Sequence, residues 1–211
     1  MRNITKILSA ALACLLLAAC SLDLVSFQYG DGQLYNKRQG LYYKAAPTSY
    51  APVVIGDAYG YYKDMDMTLY EIKGQDPKQW LTQENNGGAT TVFYNVDLTL
   101  PTIAEMAPHT AYICTGEEIT YSVGAIDDQT AIDTLVDLFT NGEAVEWPLV
   151  DAAVTYDLLF LGDAYPFLYY HLTYGEFPEG TFLYDRNTKR CVAIGDTLTT
   201  WIPLLGTTES E

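Results

Sequence analysis

The chain has 211 residues, 49% of them apolar, with 27 Asp and Glu against 11 Lys and Arg. The apolar share supports a packed core and excludes disorder as the global state. A net charge of −16 repels phosphate backbones and sets nucleic acid aside as a partner.

The first twenty residues are the most specific segment. Arg2 and Lys6 give a basic start, Ile7 to Leu17 is apolar except for Ser9, and Leu17-Ala18-Ala19-Cys20 follows. The run is too short for a permanent bilayer span, and small residues precede the cut, as in a secretory signal. The segment resembles a bacterial lipoprotein signal, matching the lipobox at Leu17, Ala18, Ala19 and Cys20. The resemblance is confined to these twenty residues and does not extend to the rest of the chain. It implies removal of residues 1–19, a thioether-linked diacylglycerol on Cys20 and further acylation of the new amino terminus by a fatty acid such as palmitate. Two or three acyl tails suffice for stable anchoring, so the expected location is the extracytoplasmic face of a bacterial cell membrane. Ser21, not Asp, follows the Cys, so no inner-membrane retention signal stands there for a two-membrane host. The mature chain keeps nine basic side chains against all 27 acidic ones.

Residues 20–50 mix Gly, Tyr, Gln and scattered charge without a period, which predicts a lipidated tether with an edge strand around Leu41-Tyr42-Tyr43. Residues 51–206 are the expected globular domain. Met67 to Lys73 alternates on a β-branched and aromatic background and reads as a strand. Asp76-Pro77 predicts a helix start, with a short helix through Trp80 and Leu81. Thr90 to Tyr94 reads as a strand, and Pro101 to Met106 as one or two helical turns. Thr110 to Cys114 and Glu118 to Gly124 read as strands about a turn at Gly116. The best helix follows: Asp127 or Asp128 caps it, Ile132, Leu135, Val136 and Phe139 form one stripe, and Asn141-Gly142 predicts a left-handed close. Four further strands are expected at Ala153–Leu161, Phe167–Tyr174, Thr181–Tyr184 and Cys191–Ile194, with the last hairpin turning at Asp185 to Lys189. Asp196 caps a short helix around Leu198 to Ile202, and residues 207–211 form a tail.

Strands joined by short turns with a few helices between them predict an α+β fold with mainly antiparallel sheet. Gly56-Asp57-Ala58-Tyr59 recurs as Gly162-Asp163-Ala164-Tyr165, which raises a minority reading of two related subdomains meeting near residue 125.

Motifs for chemistry are sparse. Only two His occur, His109 and His171, and no Cys-x-x-Cys, Walker loop, dinucleotide fingerprint or nucleophile elbow is present. No metal or cofactor is expected. Asp64 and Asp66 would share a strand face and offer hard oxygen ligands to calcium, with a plain solvent-facing role as the simpler reading. His171, inside a strand, reads as a half-buried imidazole bonded to a neighbour. Cys114 and Cys191 either pair as a disulfide or remain two buried thiols. Arg186, Lys189 and Arg190 place three of the nine mature cations within five positions. They either contact an anion or partner or pair with the protein's own surplus acid. The doublets Tyr42-Tyr43, Tyr61-Tyr62 and Tyr169-Tyr170 should each send one ring outward if they are extended. These rings are the best reason in the sequence for a binding role. The expected function is a non-catalytic module that binds an extracytoplasmic protein or glycan close to the membrane. The alternatives are an envelope hydrolase using carboxylates and a structural or immunity-type lipoprotein.

Overall fold

The computed structural model describes residues 24–52, 54–84, 90–115, 121–198 and 200–202. Seven strands form its first half: β1 (Val25–Gly30), β2 (Gln33–Asn36), β3 (Leu41–Ala45), β5 (Ile55–Tyr62), β6 (Met67–Ile72), β7 (Trp80–Glu84) and β8 (Thr90–Asn95). They close into a barrel in the order β1-β2-β3-β8-β7-β6-β5. Neighbours run antiparallel except at the closure, where β1 lies parallel to β5 with Val25 beside Gly60 and Phe27 beside Tyr62. Alternation aims one set of side chains inward, and Phe27, Leu34, Leu41, Tyr43, Leu69, Leu81 and Phe93 fill the barrel. Closure requires glycine at position 60. A Cβ there would stand 2.4 Å from the Phe27 ring and 2.8 Å from the Val25 carbonyl oxygen.

The second half is an open antiparallel sheet of β9 (Pro108–Thr115), β10 (Tyr121–Ile126), β11 (Val154–Gly162), β12 (Leu168–Phe177), β13 (Gly180–Tyr184) and β14 (Cys191–Ala193), in the order β10-β9-β11-β12-β13-β14. The long strand β12 has a divided edge. Thr173 to Phe177 pair with β13, while Leu168 to Tyr170 pair with β4 (Tyr50–Pro52), which comes from between two barrel strands. Helix α1 (Gln129–Asn141) buries Ile132, Leu135 and Phe139. Its N-cap is Asp128, whose carboxylate accepts from the backbone N–H groups of Thr130 and Ala131.

One core joins the halves. Ile72, Trp80 and Val92 from the outside of the barrel pack with Ile113, Leu158, Phe160 and Leu172 of the sheet and with the apolar stripe of α1. Among the described residues no helix is long and apolar enough to cross a membrane.

The fold is therefore β-rich, and the α+β expectation is overturned: one barrel, one sheet and a single α-helix among the described residues. Asp76-Pro77 opens only a turn, with the Trp80 N–H bonded to the Asp76 carbonyl, and Trp80 begins β7. Trp80 faces the shared core and Leu81 the barrel interior, so burial on both faces overrides the local helix signal. Residues 101–106 make a single turn closed by a reciprocal bond pair between Thr102 and Glu105. The expected C-terminal helix is a short 3₁₀ turn, Gly195–Leu198.

Three further expectations differ. Residues 25–45 are three barrel strands and not a tether; the strand expected around Leu41-Tyr42-Tyr43 is present as β3, but within the closed barrel and not at an edge. Asp31 and Gly32, at φ 54° and 75°, form a tight hairpin turn of the kind Asp-Gly favours. Gly142 ends α1 in extended conformation, at φ −62°, and not left-handed. The repeated tetrapeptide takes two shapes, since Gly56 to Tyr59 lie inside β5 whereas Gly162 ends β11 and Asp163 to Tyr165 turn. It does not mark equivalent subdomains, and residue 125 falls inside β10. The signal segment, Cys20 and residues 207–211 lie outside the described residues.

Candidate functional site

Pleating sorts the second sheet into two unlike faces. Tyr156, Leu158 and Phe160 of β11, with Leu168, Tyr170, Leu172 and Tyr174 of β12, face the shared core. The alternate residues Asp157, Leu159 and Leu161, with Tyr169, His171 and Thr173, stand on the opposite face, joined by Tyr112 and Cys114 from β9. Most of these are half-buried, so this face is apolar and aromatic with a polar centre.

That centre is a hydrogen-bonded pair of His171 and Asp157. His171 Nε2 lies 2.7 Å from Asp157 Oδ1, with the two side chains 19% and 27% exposed. Register makes the contact: Asp157 is opposite Thr173 on β12 and opposite Cys114 on β9, and His171 is the diagonal neighbour. Burial alone would raise the Asp157 carboxyl. The hydrogen bond and charge of His171, with the charge of Arg186, outweigh it and hold the carboxyl below its usual range. Thr173 Oγ1, beside Asp157, is buried and has no hydrogen-bond partner among the described residues. Tyr112 and Tyr169 meet edge to face at 5.9 Å, and burial pushes the Tyr169 hydroxyl up. The patch thus offers a fixed carboxylate, an imidazole and two ring faces to whatever lies against it.

A second carboxylate supports this region from below. Asp185 is buried and accepts from Ser49 Oγ at 2.6 Å, from the Asn187 N–H at 2.9 Å and from the Tyr170 hydroxyl at 3.1 Å. Burial raises its carboxyl, but these bonds and one from Thr188 win and leave it below the usual range. Ser49 and His171 meet only through the backbone, the His171 N–H donating to the Ser49 carbonyl at 2.7 Å. The Ser49 hydroxyl serves Asp185 and not the imidazole, so Ser49, His171 and Asp157 do not form a nucleophile relay.

The cysteine alternatives resolve to two free, buried thiols. Cys114 is on β9 and Cys191 on β14, with β11, β12 and β13 between them. Four strand spacings put them about 19 Å apart, far beyond disulfide reach. The disulfide expectation is therefore corrected. Burial raises both thiols, Cys191 to about 11, which removes thiolate character at neutral pH.

The basic turn does not act as a unit. Arg190 closes α1: its Nε donates to the Phe139 carbonyl at 2.6 Å, and its Nη2 to those of Thr140 and Gly142 at 3.2 and 2.7 Å. This corrects both the shared anion-contact expectation for Arg186, Lys189 and Arg190 and the glycine close of the helix. The Arg190 cation satisfies carbonyls that a left-handed cap would have met. Lys189, at φ 60°, holds its ammonium 6.0 Å from the centre of the Tyr184 ring. The Arg186 charge acts on Asp157 and helps to lower its carboxyl.

Asp64 lies in the 3₁₀ turn Lys63–Met65, and Asp66 follows in left-handed conformation, accepting from the Tyr61 hydroxyl. The two do not share a strand face. Among the described residues no group of three or more His, Cys, Asp or Glu is arranged to hold a metal. The tyrosine doublets divide as pleating requires. Tyr43 fills the barrel while Tyr42 stacks on Tyr35, and Tyr170 reaches Asp185 while Tyr169 takes the open face.

His171 is, as expected, a half-buried imidazole bonded to a neighbour, but sequence reasoning missed its pairing with Asp157. Its only trace was that each interrupts an apolar strand on the outward phase; the register that brings them together is a property of the sheet. In comparisons with known proteins the chain matches no family model, no curated protein and no solved structure.

Proposed function

We propose that the protein is a lipid-anchored, extracytoplasmic binding module that docks a basic protein partner on the open face of its second sheet. The observation that carries this reading is the half-buried patch of Tyr112, Leu159, Leu161 and Tyr169 around the Asp157–His171 pair. Aromatic and aliphatic side chains surrounding a preset polar pair are the make-up of a protein-contact surface. Charge supports a basic partner. Residues 96–202 carry 17 acidic side chains and three basic ones. The hydrolase alternative calls for a carboxyl raised above its ordinary range to act as an acid, whereas Asp157 and Asp185 are both held below it.

The test is site-specific photocrosslinking in the native envelope, with the photoreactive residue at Leu159, and at Tyr29 on the barrel as the control. A salt-sensitive protein adduct from position 159 and none from position 29 is the expected result. Equal crosslinking from both, or adducts from the barrel alone, would overturn the assignment of the face. The anchor has its own test. Cys20→Ala should leave the membrane fraction, and absence of lipid mass on the wild-type chain would sink that half of the reading.

A further inference from the structure

The two halves of the molecule differ in charge as well as in fold. Residues 24–95 carry six basic and seven acidic side chains, against three and 17 for residues 96–202. The barrel is close to neutral, and nearly the whole negative charge sits on the sheet half. The chain enters the structure at Leu24, just before β1, and around the seven-membered ring β1 stands three strands from both β7 and β8. The side that reaches the core shared with the sheet is β6, β7 and β8, through Ile72, Trp80 and Val92, with β7 at its middle. The entry point is therefore on the flank of the barrel turned away from the acidic sheet.

A cleft of about 690 Å³ opens at this entry point, lined by Leu24, Val25, Tyr35, Lys37, Arg38 and their neighbours. Its described lining holds two cations and no acid. Both cations are exposed, and the turn that bears them is fixed. Asn36 Nδ2 donates to the Ser26 carbonyl at 2.8 Å, and the Gln39 N–H donates to Asn36 Oδ1 at 2.9 Å. The Lys37 ammonium lies 5.4 Å from the centre of the Tyr35 ring. Gln39 continues into a second, smaller hollow that Lys78 also lines.

We infer that this flank is the membrane-facing side of the molecule, with Lys37 and Arg38 seated on anionic lipid headgroups and the acidic sheet held outward. The inference rests on the Cys20 anchor proposed above. Leu24 is four residue steps from Cys20, and an extended chain spans at most about 3.6 Å per step, so the flank stands within about 14 Å of the lipidated residue. That is close to the range of about 10 Å over which a charged surface acts at ordinary ionic strength. The bilayer attracts the cationic cleft and repels the distant acidic half, and both effects turn the molecule the same way. Asp23, in the connecting piece, is the nearest acid in the sequence and opposes them by a single charge. The orientation also presents the open face of the sheet to a partner approaching from outside.

The test uses the full lipid-bearing chain in phosphatidylcholine vesicles, with and without phosphatidylglycerol, and a thiol-linked fluorophore at Gln39→Cys or Leu149→Cys. Leu149 is fully exposed, and the native Cys114 and Cys191 are buried. Quenching by brominated lipid should be several-fold stronger at position 39 than at 149, and the contrast should shrink in high salt and in the K37E/R38E pair. Equal quenching at the two positions would overturn the inference. A parallel arm uses the Cys20→Ala chain, which tests the surface without the anchor. Each basic side chain near an anionic surface is worth about fivefold in partitioning, so K37E/R38E should weaken binding to phosphatidylglycerol vesicles by at least about tenfold. Absence of lipid on Cys20 with this binding intact would fault the anchor and leave the surface standing. Lipid on Cys20 with neither contrast would fault the surface alone.

Discussion

The barrel and the sheet use the same strand chemistry to opposite ends. The barrel turns its alternate residues into its own interior, where Phe27, Tyr43 and Phe93 leave no unfilled apolar face, and its net charge is small. The sheet buries one face against the shared core and covers one end of the other with Trp147, beneath which Phe177, Phe182 and Cys191 are buried. The rest of that face keeps the Asp157–His171 pair, an orphaned hydroxyl and two tyrosines, and the sheet half carries most of the acid of the chain. The difference teaches that closure removes a surface from use, whereas an open sheet keeps one for contact. Under the proposed function, the barrel is the support and the sheet the working part.

The largest effect expected from breaking this division is at Trp80, which is fully buried and belongs to the barrel by its backbone and to the sheet by its side chain. Trp80→Ala should cost about 3–5 kcal/mol in urea unfolding, because it empties the joint between the two regions. An unchanged midpoint would mean that the shared core couples nothing. Next comes Arg190, which serves three carbonyls at the end of α1. Arg190→Ala should cost about 2–3 kcal/mol by thermal unfolding, as charge-assisted hydrogen bonds to three carbonyls at the helix end are lost. Lys in its place should recover only part of this, since one ammonium cannot reach all three.

A smaller effect sharpens the electrostatic side. Asp157 and Asp185 both titrate below the ordinary range in the folded chain. A carboxyl lowered on folding stabilises fully above its unfolded value, about 3.9, and loses that contribution as pH falls through the lower folded value. Stability should therefore drop as pH falls below about 4. Asp185→Asn should be less stable than wild type at pH 7 and show a shallower acid limb in urea midpoints. The smallest effect is at the thiols. Reductant should leave the unfolding midpoint unchanged, and Ellman's reagent should reach Cys114 and Cys191 only after unfolding.

The strands of the sheet half were legible because their alternation is regular and their turns carry Gly, Pro and Asp. The helix was legible from Ile132, Leu135 and Phe139 and from its Asp cap. Of the start of the barrel only β3 was legible, because β2 spans four residues and the decisive Asp31-Gly32 turn lay among other glycines that suggested a tether. Trp80 was misread because a local cap signal was weighed against burial that only the assembled core provides. At the candidate site, Tyr169 and His171 were visible as residues but not as a surface. Their partners Asp157 and Tyr112 arrive from other strands, and no spacing in the sequence encodes a register between strands.

The insertion of β4 into the sheet has a consequence for how the chain comes to its final form. All seven barrel strands are present once residue 95 has emerged, so the ring can close early in a chain delivered from its N-terminus. The strand that receives Tyr50–Pro52 begins at Leu168, and most of the shared core to which Trp80 belongs also comes from beyond residue 108. Until then an incomplete chain shows an unpaired strand edge and a bare aromatic flank, the two features that drive aggregation. A fragment cut after Asn95 would keep both features for good. The barrel, though complete as a ring, is thus not a domain that can be expressed apart from the sheet.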